Sequence, residues 1–156
     1  MSDVALVHEF MTASVVTLTP DMPIGQAARA LIRRGYSGAP VIDDQRRLVG
    51  VFSETDALDT LATAAFYDLP LESVADRMST DLVTIRPDAD LFRATEVLRE
   101  TRIKRLPVVD DGGRLVGLVT RRDVMKALVE HVGGDSHRVT TLEILQRLTG
   151  LADPTA

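Results

Sequence analysis

Displaced by 67 residues, the chain falls on itself, with Met11 on Met78. Val16-Thr17 then meets Val83-Thr84, and Pro20-Asp21 meets Pro87-Asp88. Further along, Pro40-Val41 meets Pro107-Val108, Arg47-Leu48-Val49-Gly50 meets Arg114-Leu115-Val116-Gly117, and Asp56 meets Asp123, all without a gap. So many identities at a single offset mark a tandem duplication. A unit of this size holds little core of its own, so the two copies must bury their apolar faces against each other about a pseudo-two-fold axis.

Each copy reads β-α-β-β-α, which places the chain in the α/β (α+β) class. Val15-Val16-Thr17-Leu18 and Leu82-Val83-Thr84-Ile85 are short β-branched runs closed by proline, so each is expected to be a strand. Ile24, Ala27, Ala28, Leu31 and Ile32, and then Leu91, Ala94, Thr95 and Leu98, recur at helical spacing and define one face of a helix in each copy. Gly35 ends the first of these helices, and Arg102 takes its place in the second. Two strands follow, around Pro40-Val41-Ile42 and Leu48–Phe52, then around Pro107-Val108-Val109 and Leu115–Val119, each pair joined by a polar turn. A closing helix is expected to start near Glu54 and near Arg121. These readings set the first repeat at 7–62, a linker at 63–73, the second repeat at 74–131 and a tail at 132–156. In the linker, Phe66-Tyr67 beside Pro70 reads as local packing, with partner docking as the alternative. In the tail, Thr140 and Glu143 form a capping box ahead of an amphipathic helix through Leu142, Leu145 and Leu148.

Composition removes several functions. The absence of Cys excludes a disulfide framework, a thiolate nucleophile and Cys-ligated zinc. His8, His131 and His137 have no spacing that sets two on one helical turn, so a metal site is not expected. No apolar run reaches the roughly 18 residues of a membrane span. The opening residues carry an acid where a signal peptide carries bases, so the expected location is cytoplasmic. A net charge of −5 argues against duplex nucleic acid as a partner. There is no phosphate-binding glycine loop and no strained nucleophile turn, so an enzyme is the least supported class.

Both copies carry Gly-hydrophobic-hydrophobic-Ser/Thr-x-x-Asp where the last strand meets the last helix: Gly50-Val51-Phe52-Ser53-Glu54-Thr55-Asp56 and Gly117-Leu118-Val119-Thr120-Arg121-Arg122-Asp123. Two readings share this spacing. One is a helix capping box behind a glycine that marks close packing. The other is a ligand site, in which the helix N-terminus and hydroxyl receive an anion and the acid accepts sugar hydroxyls. Arg121 and Arg122 favour the second, since cations in a first helical turn oppose the macrodipole by about 0.3–1 kcal/mol each. A solvated surface pair is the alternative.

Charge separates the copies. Residues 1–74 hold 5 basic and 10 acidic side chains, whereas 75–156 hold 13 of each. Arg102-Ile103-Lys104-Arg105 in the second copy replaces the uncharged Gly35-Tyr36-Ser37-Gly38 of the first. The second copy therefore suits a phosphorylated ligand and the first a neutral one.

Taken together, the doubled Gly-x-x-Ser/Thr-x-x-Asp motif, the Pro-Val-Val/Ile-Asp strand and the opening Met-x-x-x-Val-x-Thr-x-x-Pro-Asp resemble the CBS-domain family, specifically the tandem pair called a Bateman module. The resemblance covers roughly residues 7–130. It implies two pseudo-symmetric clefts that in this family often bind AMP, ADP, ATP or S-adenosylmethionine, and modules that pair into a disc-like homodimer. Carried over, Asp123 would hold ribose, and Thr120 with Arg122 would meet ribose or phosphate. Lys104 and Arg105 would meet phosphate, while Thr80 and Ile103, with Pro107 nearby, would line the adenine pocket. The first-copy set is Ala13, Tyr36, Ser37, Gly38, Pro40, Ser53 and Asp56. The function expected is a non-enzymatic module, without a cofactor, that binds an adenosine-containing small molecule mainly at the second-repeat site. The alternative is a ligand-free module that dimerises or docks on an unidentified protein target.

Overall fold

The computed structural model describes residues 3–135. The predicted tail helix around Leu142–Leu148, together with His137, lies outside them. The elements run α1 (Val7–Phe10), α2 (Ile24–Arg34), β1 (Gly38–Ile42), β2 (Leu48–Ser53), α3 (Glu54–Tyr67), α4 (Val74–Arg77), α5 (Leu91–Thr101), β3 (Arg105–Val109), β4 (Leu115–Thr120) and α6 (Arg121–Asp135). β1 pairs antiparallel with β2, and β3 with β4, in the same register. Gly38 faces Ser53 in the first hairpin as Arg105 faces Thr120 in the second. The tight turns need left-handed backbone, supplied by Arg46 at φ 63° and Gly113 at φ 76°.

α2 buries Ile24, Ala27, Ala28 and Leu31 against Phe52 and Val41, and α5 buries Leu91, Ala94, Val97 and Leu98 against Val108 and Val119. Ile32 departs from expectation: it continues the apolar spacing of the helix but is 79% exposed. The segments expected as first strands are not strands. Each touches its hairpin through one residue only, Leu18 on Val41 and Ile85 on Val108. Leu18 N–H donates to the Pro40 carbonyl at 3.0 Å, and its own carbonyl accepts from Ile42 at 2.9 Å. On either side of that bridge the chain leaves the ladder.

The structural halves are not the sequence copies. α1 belongs to the second core, where Val7 is fully buried beside Leu91 and Val124. Its N–H groups donate across the repeats, Val7 to Ala89 at 2.8 Å and His8 to Pro87 at 3.0 Å. α4 repeats the arrangement on the first core, with Val74 donating to Met22 at 2.9 Å and Ala75 to Pro20 at 2.9 Å. Each copy thus closes the other's core, and the duplication cannot be cut at the linker without opening both.

Gly50 and Gly117 permit this exchange. A Cβ on Gly50 would fall on the thioether of Met78, and one on Gly117 on that of Met11. The glycines of the motif are therefore close-approach positions, as the packing reading of the sequence proposed. The linker aromatics differ from expectation: Phe66 is 86% and Tyr67 74% exposed, since α3 runs on to Tyr67 and carries them past the core.

Candidate functional site: two pseudo-symmetric clefts

The stretches that leave the ladder form cleft walls. Cleft A, of about 280 Å³, is lined by Ser79, Asp81, Leu82 and Val83 before α5, by Ile103, Lys104, Arg105 and Pro107 at the entry to β3, and by Val51 and Ser53 across the axis. Ser37, Gly38, Ala39, Pro40 and Leu118 complete it. Cleft B, of about 210 Å³, is lined by Thr12, Ser14, Val15, Val16, Tyr36, Gly38 and Pro40, with Leu118, Thr120 and Arg105 across the axis. Every residue of cleft B has its duplicate on the wall of cleft A. The pseudo-symmetry of the chain is the symmetry of its cavities.

That arrangement regroups the residues singled out from sequence. The hydroxyl beside the Ile103-Lys104-Arg105 entry is Ser53 of the first copy, while Thr120 faces Tyr36, Gly38 and Pro40. Thr80 and Ala13 are exposed and line neither cleft; their neighbours Ser79 and Asp81, and Thr12 and Ser14, do. Those neighbours were missed by sequence reasoning; these stretches are irregular rather than strands, and Ser14, Val15 and Val16 line their cleft consecutively, as do Asp81, Leu82 and Val83, so no simple periodicity marks the lining residues.

Asp56 and Asp123 stand one turn inside α3 and α6, behind the hydroxyls. Ser53 donates to Asp56 Oδ2 from both its N–H and its Oγ, each at 2.9 Å, and Asp56 N–H returns a bond to Ser53 Oγ at 3.2 Å. Thr120 N–H donates to Asp123 Oδ2 at 2.9 Å, and Asp123 N–H to Thr120 Oγ1 at 3.2 Å. Both acids therefore close capping boxes. The two differ in one bond: the Ser53 hydroxyl proton is committed to Asp56, whereas the Thr120 hydroxyl has no acceptor among the described residues.

The arginines separate as well. Arg121 turns away from the clefts and donates to the Arg102 carbonyl at 3.3 Å. It stands at the N-terminus of α6 but also over the C-terminus of α5, where a cation is favoured. Its position thus has an account within the fold, which removes it from the electrostatic argument for an anion. Arg102 holds the left-handed conformation that Gly35 holds in the first copy, at φ 57° against 67°. Arg122 is exposed on the first turn of α6 and lines neither cleft.

Arg105 does the opposite and reaches inward. Nη1 donates to Ser37 Oγ at 2.7 Å and to the Gly38 carbonyl at 3.4 Å, and its guanidinium carbon lies 5.4 Å from the centroid of the Tyr36 ring. A cation over an aromatic face is favourable by about 0.5–1 kcal/mol at an exposed site. Its duplicate is Gly38, where a Cβ would meet the Phe52 carbonyl at 3.2 Å and stand in ordinary contact with Arg105 Nη1 at 3.9 Å.

Among the described residues no cluster of His, Asp or Glu is placed to hold a metal. His131 packs edge-on against Phe92, with ring centroids 5.5 Å apart. No described helix is long and apolar enough to cross a membrane.

Two antiparallel hairpins, helices exchanged between copies and a cleft on each side of the axis define a paired-repeat module. The chain belongs to the CBS-domain family, matched over residues 7–63 and 72–130, and is a tandem CBS (Bateman) pair. It resembles CBSX2 of Arabidopsis thaliana, with 31% identity and a TM-score of 0.72 over 82% of this chain and 96% of that one. A structure of CBSX2 in complex with AMP superposes with a TM-score of 0.70 at 33% identity, covering 80% of this chain and 96% of that one. The inosine-5'-monophosphate dehydrogenase of Methanocaldococcus jannaschii is 34% identical over 118 residues, 76% of this chain. The chain spans only 22% of that enzyme's length, and 21% of its counterpart in Thermoplasma acidophilum.

Proposed function

We propose that this chain is a non-enzymatic regulatory module whose clefts bind an adenosine derivative, AMP, ADP, ATP or S-adenosylmethionine, with cleft A as the principal site. One observation carries the reading: Lys104 and Arg105 stand together on a cleft wall that also offers apolar surface from Leu82, Val83, Ile103 and Pro107. Apolar walls with a few convergent polar groups suit a purine, and paired cations suit its phosphate. Asp81 supplies an acceptor for a sugar hydroxyl. The CBSX2 complex with AMP supports the ligand class, as does a CBS pair at 25% identity holding 5'-methylthioadenosine and S-adenosyl-L-methionine. Ligand acts by favouring one arrangement of the repeats, to the extent of its differential affinity for the two. Ile32, Leu58, Met125 and Val129, apolar and exposed on the helical faces, support self-association into a homodimer.

Thermal shift against AMP, ADP, ATP and S-adenosylmethionine tests the reading. A ligand at 100 times its Kd stabilises by about 2.7 kcal/mol, a rise of about 5–10 °C for a chain of this length. Lys104→Gln is expected to reduce the rise for phosphorylated ligands. A flat response to the whole panel would instead favour a ligand-free interaction module.

A further inference from the structure

Arg105 borders both clefts, and among the described residues it is the only cation that does. Cleft A has Lys104 besides; the described lining of cleft B has no other positive side chain. We propose that Arg105 is a shared cation that couples the two clefts, so that a phosphorylated ligand in one leaves the other suited to an unphosphorylated ligand. This rests on the adenosine-derivative reading above and adds to it a rule for joint occupancy.

The argument is geometric. Arg105 leaves the entry to β3 and crosses the axis to Ser37 on the wall of cleft A, to Gly38, which borders both clefts, and to the Tyr36 ring on the wall of cleft B. Ser37 and Gly38 hold it there through neutral acceptors, and Tyr36 through its ring face. A phosphate outcompetes these, because it brings the opposite charge and accepts two parallel bonds from the guanidinium, whereas the present partners are neutral. A phosphate in either cleft therefore takes the side chain. The guanidinium carries a single positive charge, so once it is turned into one cleft and paired with a phosphate there, the second cleft faces its ligand without that charge. Gly38 enforces the sharing, because the duplicate position brings no second arginine. Cleft B then keeps Tyr36, Pro40, Val15 and Val16 for a base and the Thr120 hydroxyl for a sugar.

Isothermal titration of the whole chain with AMP tests the coupling. The expected result is two AMP affinities at least tenfold apart, or one AMP together with one adenosine when both are supplied. Ser79→Trp, from an exposed position on the wall of cleft A only, fills that cleft and changes no charge. Arg105 is then free for cleft B. The Ser79→Trp protein should bind a single AMP at least tenfold tighter than the weaker site of the unaltered chain, and adding Arg105→Gln should reverse that gain. AMP bound to Ser79→Trp at the weaker affinity, or indifferently to Arg105→Gln, would overturn the coupling, as would two equal and independent AMP sites in the unaltered chain. Asp81→Trp blocks the same wall if Ser79→Trp does not melt cooperatively. Failure of the unaltered chain to bind any adenylate is a separate result, and it removes the adenosine reading itself.

Discussion

The two repeats share a backbone and differ in where they put charge. The hairpins have the same register, α1 and α4 are exchanged symmetrically, and every residue lining cleft B has its duplicate on the wall of cleft A. Against that common frame, Ser37 and Gly38 in one copy stand where Lys104 and Arg105 stand in the other. Packing constrains the shared positions, because a side chain at Gly50 or Gly117 would collide with Met78 or Met11 of the other copy. The cleft entries are free to diverge, since they meet solvent and ligand. Duplication thus supplies two equal cavities, and a few surface substitutions make them unequal.

The equality of the cores can be broken most severely at Phe52. It is fully buried and its duplicate is Val119, also fully buried, so the first core carries the larger side chain. Phe52→Ala is expected to cost about 3–5 kcal/mol. Val119→Ala removes fewer methyl groups, worth about 0.8 kcal/mol each plus a smaller cavity, and should cost about half as much. Denaturant melts of both variants give the comparison. Because α1 and α4 tie each core to the other copy, each melt should remain a single transition. Two separated transitions would show that the repeats fold independently.

The helix ends offer an effect of opposite sign. Gly35 and Arg102 hold the same left-handed C-cap, but only Arg102 pays for a side chain there, about 1–2 kcal/mol. Arg102→Gly relieves that strain and gives back about 0.5–1 kcal/mol through the extra freedom of the unfolded chain. Stability should therefore rise by about 0.5–1 kcal/mol, whereas Gly35→Ala should lower it by about 1 kcal/mol. The repeats differ again opposite these caps, at the start of α3 and α6. Where glycine caps the helix, position 54 is an acid; where arginine caps it, Arg121 donates to the cap carbonyl. A fall in Tm for Arg102→Gly would mean that the arginine contributes more than its backbone costs.

Much of this frame is legible in the linear chain, and the remainder is illegible for identifiable reasons. The offset of 67 residues follows from laying the chain on itself, and the helical stripes from Ile24 and Leu91, the hairpins and the two capping boxes follow from spacing within about 20 neighbouring residues. Val15–Leu18 reads as a strand because β-branched residues favour extended backbone, but propensity does not state whether a partner lies alongside for more than one residue. The exchange of α1 and α4 is invisible for a related reason. Val7 and Val74 are equivalent in sequence, so the pattern is the same whether each packs on its own copy or on the other. The electrostatic reading of Arg121 considered the one helix that carries it, and the second helix end above it is a tertiary fact. Lys104 and Arg105 were legible as cations, yet nothing local shows that one remains on its wall while the other crosses the axis.

The smallest effect probes the exchanged helices by pH. Asp76 caps α4 by accepting from the Ser73 N–H and from the Ser73 hydroxyl, both at 3.0 Å. Those two bonds, the backbone one first, hold its carboxyl below the ordinary aspartate range. The equivalent cap on α1 has one such bond, from Leu6 N–H to Glu9 at 2.6 Å, because leucine brings no hydroxyl. A carboxyl depressed in the folded state contributes stability above its unfolded pKa and loses it as pH falls through the folded value. Asp76→Asn should therefore narrow the stability difference between pH 7 and the region below about pH 4, since the folded chain no longer gains from ionisation there. Ser73→Ala should remove part of the same pH dependence while leaving the backbone bond in place. If Ser73→Ala leaves the acid limb of the stability profile unchanged, the hydroxyl bond that distinguishes this cap from that of α1 has no energetic consequence.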